Sequence, residues 1–331
     1  MNTMPAISER ARKLYAESLV WDDHSGFDPD GNPDLDNLQR WAKSGVHYLS
    51  VNVGYDVIDW RSTLRILASF RAWLQQHPEQ YALIRTADDI LRAKAQGKFA
   101  VAFDLEGMNA LNGDVNMVNV YYELGVRQML FAYNLNNLAG GGCHDADIGL
   151  TEFGRAVIRE MNRVGMLVDC SHTAHRTTLD AMEASEAPVI FSHSCAKAVW
   201  KHGRNITDDQ IKACAKTGGV IGINGIGTFL GRNDISSAVF VDHVAHMAAL
   251  VGAEHVGIAL DYAFEGETVA DLVAGNHLYW PPEEYPAASL YLPPEQLPEI
   301  TETMVQRGFS DAEIAGILGG NFLRVAREVW K

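Results

Sequence analysis

The sequence lacks any hydrophobic run long enough to cross a membrane. No stretch of about eighteen apolar residues occurs along the 331 residues. The first eighteen residues also lack the apolar stretch of a signal peptide. We therefore expect no membrane span and no secretory leader, and we expect a cytoplasmic protein.

Cysteine and basic residues are both scarce. The four cysteines form no C-x-x-C pair, so we expect reduced thiols instead of a disulfide framework or a zinc finger. The 27 Lys and Arg residues are outnumbered by 42 Asp and Glu residues, which gives a formal net charge of −15. A surface of this sign repels phosphate backbones and anionic lipids, so we expect neither nucleic acid nor membrane partners.

Three common catalytic motifs are missing. The chain contains no G-x-x-x-x-G-K-[ST] phosphate loop and no G-x-S-x-G nucleophile elbow. The glycines of residues 218–227 run through a strand-like segment, and not through a strand-to-helix turn, which disfavours a dinucleotide fingerprint. Cys170 and Cys195 stay open as nucleophiles, although no other feature requires one.

The chain does contain a repeated alternation of short apolar runs with longer amphipathic stretches, which is typical of β-α units. Eight of the apolar runs are predicted strands. A ninth short run, 81–85, fits either an extra strand or a loop. A Pro-rich insertion, 281–294, follows the last of the eight strands. A doubly wound open sheet would show the same alternation. The eight strands are predicted near residues 18–23, 47–53, 99–105, 126–132, 166–170, 188–192, 220–224 and 255–260.

Polar side chains follow five of these eight strands. In an open sheet the chemistry gathers at one switch point, whereas in a barrel it gathers around the whole rim. We therefore predict an α/β fold with a single (β/α)8 TIM-type barrel domain over residues 1–331, and a metal site at the C-terminal strand ends. The five polar residues are His24, Glu106, His172, His193 and Asp261.

Imidazole nitrogen and carboxylate oxygen are the ligands that zinc and similar divalent ions prefer. Each of the five groups is costly to bury alone, so a cluster of them requires a common partner. Taken singly, each histidine could be a hydrogen-bonded rim residue, and Glu106 could be a helix cap or an ion-pair partner. Taken together, the five residues predict a shared metal site.

With these residues in place, the chain resembles the membrane (renal) dipeptidase family of the amidohydrolase superfamily. The similarity implies a metal-dependent dipeptidase that hydrolyses a dipeptide, or a dipeptide-like amide with a free carboxylate. Dimers occur in this family, which implies a possible homodimer. The matching segments are 122–127, 149–154, 161–172, 187–194, 204–205, 255–261 and 320–324.

The resemblance also implies roles for individual residues. In the family a glutamate, here Glu106, bridges two zinc ions, and two histidines, here His172 and His193, hold one of them. An arginine matching Arg204 receives the substrate carboxylate, and an aspartate matching Asp261 handles protons. The residue types alone support the same roles. An aspartate at such a position is suited to general acid–base catalysis, and an arginine is suited to bind a carboxylate through two hydrogen bonds.

Two positions depart from the family pattern. The first-strand motif D-x-H-x-D reads Asp22-Asp23-His24-Ser25-Gly26 here, and glycine cannot act as a ligand. We therefore expect one Zn²⁺ ion, with His24 as a further ligand and with the second ion weak or absent. Asp22 is a candidate replacement ligand, because period-two alternation directs Asp22 and His24 to the same face of a strand.

The second departure is Tyr133, which occupies the place of a family histidine that contacts the substrate. Its hydroxyl could stabilise a developing oxyanion and bind substrate, or the ring could only fill space. Both departures leave two alternatives open. One is an amidohydrolase that acts on a different amide or a lactone, and the other is a non-catalytic binding protein of the same fold.

Overall fold

The computed structural model of the protein describes residues 7–26, 35–263, 273–285 and 288–331. Within the Pro-rich insertion, residues 286 and 287 lie outside this description. Nine strands are described, and the short run near residue 81 is one of them. They are β1 (Trp21–Ser25), β2 (Tyr48–Tyr55), β3 (Tyr81–Leu83), β4 (Phe99–Glu106), β5 (Val126–Leu130), β6 (Leu167–Asp169), β7 (Val189–Ile190), β8 (Ile221–Asn224) and β9 (Val256–Ala259).

Eight of the strands close into a parallel barrel. Strands β1, β2, β4, β5, β6 and β7 pair in that order, and β8 pairs with β9, while β3 adds to the side of β4. A parallel bridge between Phe191 and Ile221 joins β7 to β8, and one between Ser25 and Tyr262 joins β9 to β1. The predicted (β/α)8 TIM-type barrel is therefore confirmed, and the solved structure reported below shares this fold.

Helices fill the connections between the strands. Capping boxes at Thr207 and Ser310 begin two of them, and Gly165, with φ of 91°, ends a third. The helices are α1 (Glu9–Glu17), α2 (Leu38–Lys43), α3 (Trp60–Gln76), α4 (Ala87–Ala95), α5 (Met117–Glu123), α6 (Glu152–Val164), α7 (His175–Ala184), α8 (Asp208–Lys216), α9 (Gly227–Leu230), α10 (Ser237–Val251), α11 (Leu297–Gln306), α12 (Asp311–Ala315) and α13 (Asn321–Val329).

Large aromatic side chains close the N-terminal end of the barrel. Trp21 and Tyr48 begin β1 and β2, and their rings lie 3.9 Å apart. Phe322 of α13 stacks on Trp21 at 5.9 Å. Burial of a side chain of this size contributes roughly 1.5–3 kcal/mol. Because this end is filled with apolar rings, polar chemistry is restricted to the opposite end, where the strands end.

The part of the chain described here contains no helix that combines the length and the apolar character needed to traverse a lipid bilayer.

Candidate functional site

The five polar residues predicted from the strand ends meet at the C-terminal mouth of the barrel. Glu106 Oε1 lies 3.2 Å from His172 Nε2, 3.3 Å from His193 Nε2 and 3.6 Å from His24 Nε2. The Nε2 atoms of His172 and His193 are 2.9 Å apart. Asp261 Oδ1 lies 3.6 Å from His24 Nε2. One carboxylate oxygen therefore faces three imidazole nitrogens in a buried cluster.

The orientation of the His172 ring is set by Asn134. The Asn134 amide nitrogen donates to the backbone carbonyl of Tyr279 at 2.8 Å. Its amide oxygen therefore faces His172 Nδ1, which donates to it at 2.7 Å. With the proton on Nδ1, the neutral ring has a lone pair on Nε2, which points toward Glu106.

His193 is held in the same tautomer by a different pair of side chains. The Ser192 hydroxyl donates to the buried Asp169 carboxylate, so its oxygen accepts from His193 Nδ1 at 2.8 Å. His193 is fully buried. The Nε2 atom of His193 therefore also presents a lone pair to the cluster.

His24 is held by a carboxylate. Its Nδ1 lies 3.2 Å from Asp104 Oδ1, and Asp104 in turn accepts from the Ser50 hydroxyl at 2.6 Å and from the Asn52 amide at 3.0 Å. All three partners are buried. This hydrogen bond directs His24 Nε2 toward Glu106 and Asp261.

The pKa shifts separate His24 from the other two histidines. Burial, together with the positive charge of Arg204, lowers the pKa of both His172 and His193 well below the ordinary value. Burial also lowers the pKa of His24, but the carboxylates around it, with Asp104 and Glu106 first, raise it well above the ordinary value. Burial raises the pKa of Glu106 to about 8.

This donor set fits a divalent cation. His172 and His193 present neutral nitrogen lone pairs to a carboxylate oxygen, and their other ring nitrogens are already bonded. Lone pairs facing one another at 2.9–3.3 Å repel unless a proton or a cation lies between them. Imidazole nitrogen with carboxylate oxygen is a zinc-type ligand set, and second partners on the far ring nitrogens are typical of metal-bound histidine.

Three residues of the cluster have left-handed backbone conformations. His172 has a φ of 61°, Asp261 of 52° and Asn134 of 63°. A non-glycine residue in such a conformation costs of order 1–3 kcal/mol, so it persists only where the surrounding structure enforces it. Here the strained conformation directs the side chains of His172, Asp261 and Asn134 into the mouth of the barrel.

Asp261 is held with one oxygen free toward the cluster. Asn224, at the end of β8, donates to Asp261 Oδ2 at 2.8 Å. The other oxygen, Oδ1, lies beside His24. Burial raises the pKa of Asp261 above its ordinary value, so this carboxyl accepts a proton more readily than a solvated one.

Arg204 is a buried cation next to the cluster. Its side chain is 3% exposed, and Nη2 donates to the His193 carbonyl at 3.3 Å. Its Nε has no hydrogen-bond partner among the described residues. Arg204 and His172 line the same cavity of about 190 Å³. A buried guanidinium with an unused donor beside a cavity is suited to bind an anionic group.

Tyr133 lies directly against the cluster. Its ring stacks on the His172 ring at 4.1 Å, and its hydroxyl accepts from Trp280 Nε1 at 3.3 Å. Its backbone N–H donates to the buried Asp56 carboxylate at 3.1 Å. Tyr133 therefore lies beside the cluster, and its role in contacting a substrate stays a prediction.

Asp22 is not brought to the cluster, so its prediction as a replacement ligand requires correction. One carboxylate oxygen accepts from Trp41 Nε1 and the other from the Leu260 backbone N–H, both at 2.8 Å. The pairing of β1 with β2 shifts register between Asp22 and Ser25, which breaks the period-two alternation on which the prediction depended. Asp22 instead ties β1 to the segment after β9.

Gly26 lies where the family pattern has a second aspartate, and the backbone leaves no space for one. A Cβ on Gly26 would lie 2.9 Å from Ala263 Cα and 3.3 Å from the Tyr262 carbonyl oxygen. The Gly26 N–H also donates to that carbonyl at 3.0 Å. The missing carboxylate is therefore replaced by packed backbone at the closing seam of the barrel.

Sequence reasoning missed the residues that orient the ligands. Asp104 lies two positions before Glu106 on the same strand, and this spacing was a usable signal. Ser192 immediately precedes His193, but adjacency alone does not reveal a side chain that bonds the neighbouring ring. The partnership of Asn134 with Tyr279 joins residues 145 positions apart and has no local signal.

Comparison with known proteins identifies the family to which this barrel belongs. An amidohydrolase from Pseudomonas aeruginosa is 25% identical, superposes with a TM-score of 0.86, and is matched over 97% of this chain and 99% of its own. The sequence pattern of the membrane dipeptidase family, peptidase family M19, matches residues 28–275. The chain therefore belongs to the membrane dipeptidase family, which confirms the resemblance inferred from the sequence motifs.

Two curated relatives support the same assignment. Dipeptidase tcpJ of Claviceps purpurea is 32% identical over 274 residues, which are 81% of this chain and 60% of that protein. Uncharacterized dipeptidase C965.12 of Schizosaccharomyces pombe is 34% identical over 214 residues, or 61% of this chain and 51% of that protein. The chain thus spans half to three fifths of the length of these relatives.

Proposed function

We propose that this protein is a metal-dependent dipeptidase that hydrolyses a dipeptide, or a dipeptide-like amide, with a free carboxylate. The observation that carries the proposal is the convergence of His172, His193 and Glu106 on one point beside the partly unpaired guanidinium of Arg204. Membership in the membrane dipeptidase family supports the same activity.

Glu106, His172 and His193 would hold the cation, with His24 as a further donor. Zinc is the ion that this donor set favours. When bound, such a cation acts as a Lewis acid, which lowers the pKa of a water molecule and polarises the scissile carbonyl.

The chain's own residues supply the other parts of the reaction. Arg204 binds the terminal carboxylate of the substrate, which positions the scissile amide over the cluster. Asp261 accepts a proton from the attacking water at its Oδ1 atom and returns a proton to the leaving amine. The Tyr133 hydroxyl, which now accepts from Trp280, has its own proton available for the oxygen of the tetrahedral intermediate.

We further propose that one cation is held tightly and that a second is weak or absent. Glu106 Oε1 lies within 3.3 Å of both His172 Nε2 and His193 Nε2, and each of these two histidines has its own orienting partner. On the side of His24 the carboxylate of the family pattern is missing, and the backbone at Ala263 fills the space beside Gly26.

A dipeptide panel tests the activity. Purified protein loaded with Zn²⁺ is incubated with L,L-dipeptides and with dipeptides that carry a D-residue at the C-terminus, and the released amino acids are quantified. We expect turnover that depends on the metal and is lost in a His193→Ala variant. No turnover above that of the variant on any dipeptide would overturn the proposal.

The changes at Gly26 and Tyr133 favour one second candidate. The same barrel and cation could act on a non-peptide amide or a lactone, because both positions shape the place where a dipeptide would lie. Turnover of such compounds with inert dipeptides would select this candidate. Cytoplasmic location and a homodimer remain proposals from the sequence, and fractionation and light scattering test them.

A further inference from the structure

Four aromatic rings form a continuous surface on one side of the barrel mouth. The Tyr133 ring lies 5.4 Å from that of Tyr55, 5.9 Å from that of Trp280 and 6.2 Å from that of Tyr279. Tyr279 and Trp280 are 6.1 Å apart, centroid to centroid. We call these four residues the aromatic wall. Tyr133 and Tyr279 are half-buried, whereas Tyr55 and Trp280 are buried.

The aromatic wall lies directly beside the cluster of histidines and carboxylates at the barrel mouth. Tyr55 ends β2 and pairs in register with Glu106 of β4. Tyr133 follows β5 and stacks on His172 at 4.1 Å. A group bound at the cluster on this side therefore meets aromatic rings.

Arg204 lies on the opposite side of the mouth. The Arg204 guanidinium lies 5.4 Å from the centroid of the Phe229 ring, which follows β8, and it donates to the His193 carbonyl, which follows β7. In the closed ring β1-β2-β4-β5-β6-β7-β8-β9, β2, which carries Tyr55, is four positions from β7, and β5, which leads to Tyr133, is three positions from β8. A substrate that extends from Arg204 across the cluster therefore reaches the aromatic wall with its other end.

The wall presents little charge to a substrate. The adjacent carboxylate, Asp56, is buried, and its oxygens accept from the backbone N–H groups of Asn109 and Tyr133 and from the Asn137 amide. The Trp280 N–H is used by the Tyr133 hydroxyl. The surface that remains is mainly ring carbon, which favours an apolar or aromatic group.

We propose that the aromatic wall receives the side chain of the substrate's N-terminal residue and selects apolar and aromatic residues there. This inference rests on the proposed function, because it takes Arg204 as the site of the C-terminal carboxylate. The rings of Tyr133 and Tyr279 contact the side chain, and Tyr55 and Trp280 hold them in place.

The test compares kcat/KM for Gly-Ala, Ala-Ala, Leu-Ala, Phe-Ala and Lys-Ala with the zinc-loaded full chain. We expect Phe-Ala and Leu-Ala to exceed Gly-Ala by about tenfold or more, as apolar pockets typically discriminate. In Tyr279→Ala this preference should fall about fivefold, because the ring is lost but the backbone carbonyl that holds Asn134 is kept. Trp280→Ala should lower the preference as well.

Leu278→Ala is the matched control. Leu278 neighbours Tyr279 and is 76% exposed, so the variant should keep the wild-type preference. Equal kcat/KM across the panel, or a preference that neither Tyr279→Ala nor Trp280→Ala changes, would overturn the inference while leaving the proposed function intact. A preference for Lys-Ala would indicate cation–π recognition and would also overturn it. Absence of turnover on every dipeptide would overturn both proposals together.

Discussion

The two halves of the barrel mouth differ in how completely they are built. The β4–β7 half contains Glu106, His172 and His193, and each histidine there has a neutral partner that fixes its tautomer. The β9–β1 half contains His24 and Asp261, and its glycine, Gly26, packs against backbone. The metal ligands of the family pattern are thus retained on one side and reduced on the other. Ligand types alone therefore do not define a metal site, because space for each ligand is also required.

The largest difference is expected between substitutions of equivalent histidines in the two halves. His193→Ala removes one of the three donors of the β4–β7 half, so Zn²⁺ affinity should fall by more than about 100-fold. Loss of a residue that only orients a ligand costs less, about 10–100-fold. His24→Ala leaves the β4–β7 half intact and should reduce affinity by less than about tenfold. Competition with a chromophoric chelator measures both. Equal losses would remove the distinction between the halves.

The role of Asp261 is tested separately from metal binding. Asp261→Asn keeps the shape of the side chain but removes the proton acceptor, so kcat should fall by about 10²–10⁴. Zinc content should stay at the wild-type level, because Asp261 is not one of the zinc ligands proposed in the β4–β7 half. Single-turnover kinetics with metal analysis of the same sample gives both quantities. A kcat within about tenfold of wild type would show that another group moves the proton.

Restoring the family carboxylate should damage the β9–β1 half instead of completing it. Gly26→Asp places Cβ against Ala263, and overpacking of this kind costs typically about 1–3 kcal/mol of unfolding free energy. Urea denaturation measures the loss. Gly275→Asp is the matched control, since no atom lies within 4 Å of a Cβ at that position, and it should be close to neutral. A stable Gly26→Asp protein that gains a second tight Zn²⁺ would contradict this account of the seam.

The smallest effect concerns the other end of β1, where His47 supports the strand. His47 Nδ1 accepts from the Val20 N–H at 3.1 Å, and burial, with Lys94, lowers the pKa of His47 to about 4. Between pH 6.5 and 4 the unfolded chain binds this proton and the folded chain does not. Stability should therefore be full above pH 6.5 and decline as the pH falls toward 4, by on the order of 1 kcal/mol for this partly exposed group.

His47→Asn keeps an acceptor for the Val20 N–H but does not titrate. Urea denaturation at pH 7 and at pH 4.5 should show a smaller loss of stability in this variant than in wild type. An identical loss in the two proteins would assign the pH dependence to other groups.

The sequence was sufficient to predict most of the barrel and part of its mouth. Buried parallel strands are mostly apolar runs, so all eight could be placed. The polar residues at the ends of five of these runs identified His24, Glu106, His172, His193 and Asp261. Asp22 could not be placed correctly, because alternation applies only to a regular strand and β1 shifts register there.

Contacts between distant segments could not be predicted from one sequence. The collision of a side chain at Gly26 with Ala263 depends on how β1 meets the segment after β9, about 237 positions away. The hydrogen bond from the Asn134 amide to the Tyr279 carbonyl also joins segments that are far apart in the sequence. Both depend on the closed barrel, which only the structure provides.

The number of Zn²⁺ ions bound tightly tests the difference between the halves most directly. Metal-free protein is titrated with Zn²⁺ by calorimetry, and the zinc content after gel filtration is measured on the same preparation. We predict one equivalent, lost in His193→Ala and kept in His24→Ala. Two equivalents of similar affinity, both retained through gel filtration, would contradict the account.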